Sequence, residues 1–267
     1  MENIKLILTD IDGTLLDSNK NCPIENVEAI KLARKQGIIY GFASGRPALN
    51  MLPMIDKWGL TNEVDVIMGS NGGEIYYVKE ERLEKVCSLS PSRMIEFESK
   101  TRDLDVSTCF YEGMTLNTNK LTDTYIMRCE EMDFNQRVID YATYIQTDYP
   151  KMLVINPRGK QEEVLESLKA LKTDNLNYVP SSPILIEVID KHLSKAKGIE
   201  EMMQHYHLEH DQILCFGDAD NDYEMLKAFN GVAMANASIK TMSVAKYKTV
   251  SNDEAGVGKF IKENIIK

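Results

Sequence analysis

The sequence lacks the features that mark membrane-spanning and nucleic-acid-binding proteins. Its apolar runs are a few residues long, whereas a helix that crosses a bilayer needs about 20 apolar residues. Basic residues are in deficit, with 31 Lys and Arg against 41 Asp and Glu, a net charge of −10 and an isoelectric point near 5.0. Because nucleic acids and anionic membranes require a basic surface, we expect neither as a partner.

Cysteine is also scarce, and its spacing is uninformative. The five cysteines are odd in number, and no two are spaced as Cys-x-x-Cys, so neither a disulfide framework nor a zinc site is indicated. The first residues lead directly into a strand-like run and do not have the layout of a signal peptide. We therefore expect reduced thiols and a cytoplasmic protein.

What the sequence does contain is an alternation of strand and helix patterns. Residues 4–8, 38–43 and 64–68 are short apolar runs of the kind that form buried parallel strands, and helical segments separate them. The same alternation returns after residue 189. This order predicts an α/β domain with a parallel sheet and right-handed crossovers.

Between residues 83 and 188 the pattern changes. Strand candidates at 106–111, 152–155 and 184–189 are mixed with longer polar segments and one strong helical stripe near Leu168. We interpret this stretch as an α+β insertion that splits the α/β domain into residues 1–82 and 189–267.

The first chemical signal is the segment 9–16, TDIDGTLL, directly after the first strand. Ligands bind beyond the carboxyl ends of strands in a parallel sheet, so Asp10 and Asp12 are predicted to lie where a ligand binds. Gly13 allows the backbone to turn away sharply. By itself the segment is equally consistent with an ordinary solvated Asp-Gly turn.

A second acidic segment, 217–222 with sequence GDADND, follows another predicted strand. It does not fit a calcium-binding loop counted from Asp218, because Tyr223 and Phe229 stand where such a loop needs Gly and Glu. Two acidic clusters on neighbouring strand ends would repel each other without a cation. Hard oxygen ligands beside a phosphate suit Mg²⁺, so we expect this ion as a cofactor.

Two further residues complete a predicted phosphate site. Ser44 ends the second strand in the segment 43–46, ASGR, where a hydroxyl and the following backbone amides offer a seat for an anion. Lys195 begins a helix that returns the chain to the α/β domain, and its charge could neutralise a phosphoryl group in transfer. Taken singly, Ser44 is also an ordinary helix cap and Lys195 an ordinary surface lysine.

Together these segments resemble the haloacid dehalogenase superfamily, and specifically its Cof-type sugar phosphatase branch. The resemblance covers the whole chain, and further matching segments lie at 69–73, 231–237 and 251–257. It implies that the insertion 83–188 is a substrate-specificity cap of the type called C2B. Gly directly follows the lysine in many members, so Lys197 is an alternative to Lys195, which the alignment favours.

The resemblance also implies roles for individual residues. Asp10 would be the nucleophile that forms an aspartyl-phosphate, Asp12 the general acid and base, and Lys195 the catalytic cation. Mg²⁺ would be held by Asp10, the Asp12 backbone carbonyl and Asp218, with Asp222 as an indirect support. The phosphoryl group or substrate would be bound by a set of core residues: Ser44, Gly45, Arg46, Asn71 and Asn221.

We therefore expect a phosphatase that acts on small phosphorylated metabolites, with sugar phosphates as the first candidate substrates. Two alternatives stay open from the sequence. A phosphosugar mutase would use the same residues and yield an isomerised product. A non-catalytic sensor of phosphometabolites would keep the fold, although intact Asp10, Asp12, Lys195 and Asp218 weigh against it. The physiological substrate, any protein partner and the oligomeric state cannot be read from the sequence.

Overall fold

The computed structural model describes residues 1, 3–171 and 173–266. The chain forms two compact units. The first combines residues 1–86 with residues 193–267, and the second consists of residues 87–192. No helix among the described residues is both long and apolar enough to cross a membrane.

The strands of both units are short and are numbered here in chain order. They are β1 Leu6–Thr9, β2 Ile39–Ala43, β3 Val66–Gly69, β4 Glu74–Tyr77, β5 Arg82–Lys85, β6 Ser107–Glu112, β7 Thr115–Thr118, β8 Asn135–Val138, β9 Met152–Ile155, β10 Leu176–Ser182, β11 Leu185–Asp190, β12 Ile213–Gly217, β13 Asn230–Ala233 and β14 Tyr247–Lys248.

The helices are numbered in the same way. They are α1 Ile24–Lys35, α2 Ala48–Lys57, α3 Pro91–Thr101, α4 Asp123–Met132, α5 Tyr141–Tyr144, α6 Gln161–Ala170, α7 Lys195–Tyr206, α8 Tyr223–Ala228, α9 Ile239–Met242 and α10 Gly256–Asn264. Short 3₁₀ turns lie at Ser70–Gly72, His210–Gln212, Asp220–Asp222 and Asn252–Glu254.

The first unit is built on a sheet in the order β14-β13-β12-β1-β2-β3-β4-β5. The strands from β14 to β3 are parallel, and β4 and β5 add an antiparallel hairpin at one edge. Side chains alternate across β1: Ile7 packs in the core that includes α1, α2 and α10, while Leu6 and Leu8 pack in the core that includes α7 and α8. The α/β fold with a parallel sheet is therefore as predicted.

The second unit is an α+β structure with a sheet in the order β10-β11-β9-β6-β7-β8. All of its pairings are antiparallel except that of β7 with β8. One face packs against α3, α5 and α6, and the other against α4. The role of this unit as a substrate-specificity cap stays a prediction.

The limits of the predicted strands differ from the observed ones by at most two residues. The third strand begins at Val66 instead of residue 64. Directly before it, the carboxylate of Asp65 accepts the backbone N–H of Tyr40 (3.1 Å) and is paired with Arg34. The polar strands β7, β8 and β10 and the hairpin of β4 and β5 have no clear apolar alternation, and the sequence analysis did not identify them.

The crossing of α1 and α10 yields a stability prediction. A Cβ atom on Gly258 would lie 2.5 Å from the carbonyl oxygen of Glu25, so Gly258→Ala should push the helices apart. Overpacking of this kind costs about 1–3 kcal/mol, which urea denaturation would measure. The exposed neighbour Lys259→Ala is the matched control and should have little effect. Equal stability of Gly258→Ala and wild type would contradict this account of the crossing.

Candidate active site

Asp10 lies directly after β1, at the carboxyl edge of the parallel sheet. Its backbone N–H donates to the carbonyl oxygen of Phe216 (3.0 Å), which continues the pairing of β1 with β12. Its side chain is buried, and the Oδ1 atom accepts a hydrogen bond from Nζ of Lys195 (2.7 Å). The sheet therefore fixes the backbone of Asp10, and the lysine fixes one carboxylate oxygen.

Lys195 has a fully buried side chain, and its position follows from the start of α7. The hydroxyl of Ser194 caps this helix by accepting the backbone N–H of Lys197 (3.2 Å). Besides Asp10, the Lys195 ammonium contacts Oδ1 of Asp222 (2.5 Å). A buried ammonium group requires such partners, because removal from water costs several kcal/mol per ion.

The neighbouring lysine lies elsewhere. Lys197 is on the exposed surface of α7, where its ammonium group is 3.2 Å from Glu200 and 3.2 Å from Glu201. Of the two lysines considered from the sequence, Lys195 is therefore the one whose side chain reaches the acidic cluster.

Asp222 uses both carboxylate oxygens within the protein. Its Oδ1 atom contacts Lys195, and its Oδ2 atom accepts the backbone N–H groups of Asp218 (2.9 Å) and Ala219 (3.0 Å). These bonds shape the loop after β12 and orient Asp218. Asp222 thus ties the loop to the buried lysine, and its indirect role at a metal stays a prediction.

Asp218 faces the first acidic segment. Its Oδ1 atom accepts a hydrogen bond from the hydroxyl of Thr14 (2.7 Å). A Cβ atom at Gly13 would lie 2.4 Å from Oδ2 of Asp218, and Gly13 has a φ of +86°. Only glycine meets both constraints without strain. Carboxylate oxygens of Asp10, Asp218 and Asp222 consequently lie within 4.8 Å of one another.

The residues of the predicted anion site after β2 lie close together. Ser44 is buried, its backbone N–H donates to Met68, and its hydroxyl accepts the backbone N–H of Arg46 (3.2 Å). Asn71 has a left-handed φ of 58° and accepts a hydrogen bond from the side-chain amide of Asn221 (2.9 Å). A Cβ at Gly45 would lie 3.2 Å from the Asn71 side-chain oxygen, so these predicted residues are close neighbours.

Asp12 differs sharply from Asp10, since 37% of its side chain is exposed. Arg46 holds it through two hydrogen bonds, from Nε (2.9 Å) and Nη2 (2.8 Å). Lys20 adds a third from Nζ (2.9 Å). Although burial acts to raise the pKa of the Asp12 carboxyl, the hydrogen bonds and charges of Lys20 and Arg46 outweigh it, and this pKa is lowered.

Lys20 was missed in the sequence analysis. It lies in a polar turn at 17–21 with no motif around it, and its contact with Asp12 depends on the way this turn folds back.

Burial and mutual repulsion perturb the buried carboxyl groups. Desolvation raises the pKa of Asp10 to about 7; Lys195 opposes this shift, and the charge of Asp222 adds to it. Desolvation raises the pKa of Asp218 to about 6, against the hydrogen bond from Thr14. The two carboxylate partners raise the pKa of Lys195 despite its burial. The ammonium group of Lys195 is thus charged and does not fully compensate the acids around it.

This arrangement fits a divalent cation. Carboxylate oxygens are hard ligands of the type that Mg²⁺ binds, and Asp10 and Asp218 converge from two loops. Burial is the main cause of the raised pKa values of both carboxyl groups, and the charges of neighbouring carboxylates add to it. A bound cation would favour their ionised forms. The donor set is therefore of the type that binds Mg²⁺.

The parallel sheet, with carboxylates and a buried lysine at its carboxyl edge, places the protein in the α/β class with a candidate ligand site beyond its strand ends. The family model described as haloacid dehalogenase-like hydrolase matches residues 7–261. The chain belongs to this haloacid dehalogenase-like family, as the sequence indicated.

Known relatives agree with this membership. The chain is 26% identical over 270 residues to "Putative phosphatase M6_Spy0533" of Streptococcus pyogenes, with 99% of each chain covered. It is 27% identical over 286 residues to the 5-amino-6-(5-phospho-D-ribitylamino)uracil phosphatase YwtE of Bacillus subtilis, with 97% of each covered.

A solved structure is similar over almost the whole chain. It is a haloacid dehalogenase-like hydrolase from Bacteroides thetaiotaomicron, with a TM-score of 0.83, 27% identity, and coverage of 97% of this chain and 99% of that chain. With its family and its relatives considered together, the protein is a hydrolase of the phosphatase class.

Because the pKa of Asp218 is raised, replacing this carboxyl group with a neutral side chain should stabilise the folded protein to an extent that depends on pH. The folded state binds the Asp218 proton more tightly than the unfolded state, so this group costs stability as pH rises from about 4 to about 6. In EDTA, Asp218→Asn should therefore become progressively more stable than wild type over this range, as measured by urea denaturation.

Asp220→Asn is the matched control for that measurement. Asp220 lies two residues away, but its pKa is lowered, chiefly by the Ser238 hydroxyl. Its ionised form favours the folded state, so this substitution should not produce the gain. A stability difference between Asp218→Asn and wild type that does not change with pH would refute the electrostatic account.

Proposed function

We propose that the protein is a Mg²⁺-dependent phosphatase that hydrolyses small phosphate monoesters through an aspartyl-phosphate on Asp10. The observation that carries this proposal is the buried contact of Lys195 with Asp10 and Asp222. It holds a carboxylate in a fixed, desolvated position at the end of β1, the strand that pairs with β2, which ends just before Ser44.

The proposed metal ligands are the carboxylates of Asp10 and Asp218 and the backbone carbonyl of Asp12. Asp222 would act indirectly, through its hydrogen bonds to the loop that carries Asp218. When bound, Mg²⁺ would supply positive charge that stabilises the negative charge on the phosphoryl oxygens.

The first step is an in-line attack on phosphorus by a carboxylate oxygen of Asp10. As the new bond to phosphorus forms, the bond from phosphorus to the ester oxygen breaks, and Asp12 gives its proton to the leaving alcohol. In the second step a water molecule loses a proton to Asp12 and attacks the same phosphorus. The bond to Asp10 breaks, and inorganic phosphate is released with both aspartates restored.

Ser44 and Lys195, with the amide of Asn221, are proposed to hold the phosphoryl oxygens. Lys195 already lies against Asp10, so it would meet the phosphoryl group without moving far. Such preorganised donors are a large part of phosphoryl-transfer catalysis.

Asp12 must take up a proton before it can act as an acid. In its pairing with Arg46 and Lys20 its pKa is lowered, so it is ionised. A phosphate dianion offers both cations a competing partner and places like charge beside Asp12, and both effects raise the pKa of this carboxyl. Substrate binding would therefore prepare the acid.

Sugar phosphates and related phosphorylated polyols are the proposed substrates. The Bacillus relative is named for a phosphate ester of a ribityl chain attached to a uracil, which is a phosphorylated polyol. The second unit, residues 87–192, is proposed to select among such esters. Because the proposed substrates are small phosphorylated metabolites, a cytoplasmic location is also part of the proposal.

A phosphate-release screen over a panel of metabolites tests the function. We expect turnover of at least one sugar phosphate with Mg²⁺ and its loss in excess EDTA, restored when Mg²⁺ is returned. Asp218→Ala should be inactive at any Mg²⁺ concentration and folded by circular dichroism. The matched control Asp220→Ala, in the same loop, should keep activity. Full turnover in EDTA would remove the metal from the mechanism.

The division of labour between Asp10 and Asp12 predicts different kinetics for two leaving groups. A nitrophenolate is a weak base and leaves without a proton, whereas a sugar alkoxide needs one. General acid–base assistance is worth about 10²–10⁴-fold. Asp12→Ala should thus release a burst of about one nitrophenol per site from p-nitrophenyl phosphate. It should then turn over slowly, because hydrolysis of the aspartyl-phosphate lacks its base.

With a sugar phosphate the same variant should show no burst, and Asp10→Ala should show none with either substrate. Rapid-quench measurements would resolve these phases. A burst that survives in Asp10→Ala would show that another group accepts the phosphoryl, and wild-type turnover of Asp12→Ala would remove its acid–base role.

A further inference from the structure

Two asparagines from the last part of the chain hold the loop that follows Asp12. The side-chain amide of Asn236 donates to the carbonyl oxygen of Gly13 (2.8 Å), and that of Asn252 donates to the carbonyl oxygen of Leu16 (2.9 Å). The two asparagines are joined, because the backbone N–H of Asn252 donates to Oδ1 of Asn236 (3.1 Å). The loop is thus fixed at two carbonyl groups by one connected pair.

The next residue, Asp253, holds the tip of the same loop. Its Oδ1 atom accepts the backbone N–H of Ser18 (2.7 Å), and its Oδ2 atom accepts the Ser18 hydroxyl (2.8 Å). Ser18 belongs to the turn 17–21, which also carries Lys20. Since Lys20 donates to Oδ1 of Asp12 (2.9 Å), Asp253 is connected to Asp12 through the turn.

The carboxylate of Asp10 does not depend on these contacts. It is bonded to Lys195, and the Asp10 backbone N–H is bonded to Phe216, so both partners lie on other elements. One bond joins Asp10 to the loop itself, from the backbone N–H of Leu15 to the Asp10 carbonyl oxygen (3.2 Å). Loss of the contacts to Gly13, Leu16 and Ser18 would therefore loosen the segment after Asp12 and leave the Asp10 carboxylate on Lys195.

We propose that Asn236, Asn252 and Asp253 form a clamp that positions the side chain of Asp12 for proton transfer to the leaving group. The proposal rests on the proposed function and deepens it. The three are positioning residues, since they contact the loop and not the reacting atoms. A distinctive consequence follows: damage to the clamp should slow reactions that need a proton on the leaving group far more than reactions that do not.

The chain offers matched control residues for a purely structural effect. Asn252 is 6% exposed and Asn230 is 8% exposed, and both donate side-chain hydrogen bonds to backbone carbonyl oxygens. Asn236 and Asn264 are both exposed, and each donates to one carbonyl oxygen. Within the described part of the chain, the side-chain hydrogen bonds of Asn230 and Asn264 go to residues outside the loop after Asp12.

The test compares Asn252→Ala with Asn230→Ala and Asn236→Ala with Asn264→Ala, using ribose 5-phosphate and p-nitrophenyl phosphate with saturating Mg²⁺. Misplacement by about 1 Å can cost about 10²-fold in rate. We expect both clamp variants to lose about 10–100-fold in kcat for ribose 5-phosphate and less than about 3-fold in the first turnover of p-nitrophenyl phosphate. KM should change little.

The control variants separate positioning from stability. Asn252→Ala and Asn230→Ala should lose similar amounts of stability in urea, whereas Asn230→Ala and Asn264→Ala should keep the wild-type rate ratio for the two substrates. If Asn252→Ala does not fold, the exposed Asn236→Ala carries the test. Amide hydrogen exchange should be faster than in wild type at residues 13–18 in both clamp variants.

Each other result overturns a specific claim. Clamp variants that lose equal rate with both substrates, or that lose stability without any change in kcat, would show that the contacts are structural and overturn the clamp. Wild-type protein that releases no phosphate from either ester or from a metabolite panel would overturn the proposed function instead. The amide exchange measurement then still reports whether the asparagines hold the loop.

Discussion

The structure of the candidate site depends on one buried cation. The side chain of Lys195 is fully buried, and its ammonium group is bonded to Asp10 and Asp222, which are 185 and 27 residues away in sequence. An unpaired ammonium in this position would cost several kcal/mol, so the fold must bring both carboxylates to it. The start of α7 and the loops after β1 and β12 are thereby held at one point.

The same cation sets the charge balance of the site. Lys195 supplies one positive charge among the carboxyl groups of Asp10, Asp218 and Asp222, which lie within 4.8 Å of one another. Burial is the main cause of the raised pKa values of Asp10 and Asp218, and the charges of neighbouring carboxylates add to it. Burial and charge therefore favour either partial protonation of this site or a further cation beside it, independently of the resemblance to a family.

The sequence predicted the α/β fold because buried parallel strands are continuous apolar runs. It predicted the placement of Asp10 and Asp218 because ligand sites follow the carboxyl ends of such strands. It did not predict β7, β8 and β10, whose residues are mostly polar. The alignment favoured Lys195 over Lys197, and in the structure Lys195 contacts Asp10 and Asp222. Lys197 instead pairs with Glu200 and Glu201, because two positions on a helix face different directions. Lys20 could not be found, because its contact depends on a turn without a sequence pattern.

Asp10 and Asp12 have identical side chains and lie on one loop, but their burial and their charged partners differ. Asp10 is buried against one lysine, which suits a nucleophile that must be desolvated and fixed in line with phosphorus. Asp12 is partly exposed between Arg46 and Lys20, which suits a group that must exchange protons with water and reach a leaving oxygen. These two environments lie only two residues apart in the chain. A sheet and a buried lysine hold Asp10, whereas the partly exposed side chains of Arg46 and Lys20 hold Asp12. Asp12 therefore has to be positioned by contacts from outside its own strand, and the side chains of Asn236, Asn252 and Asp253 are placed to provide them.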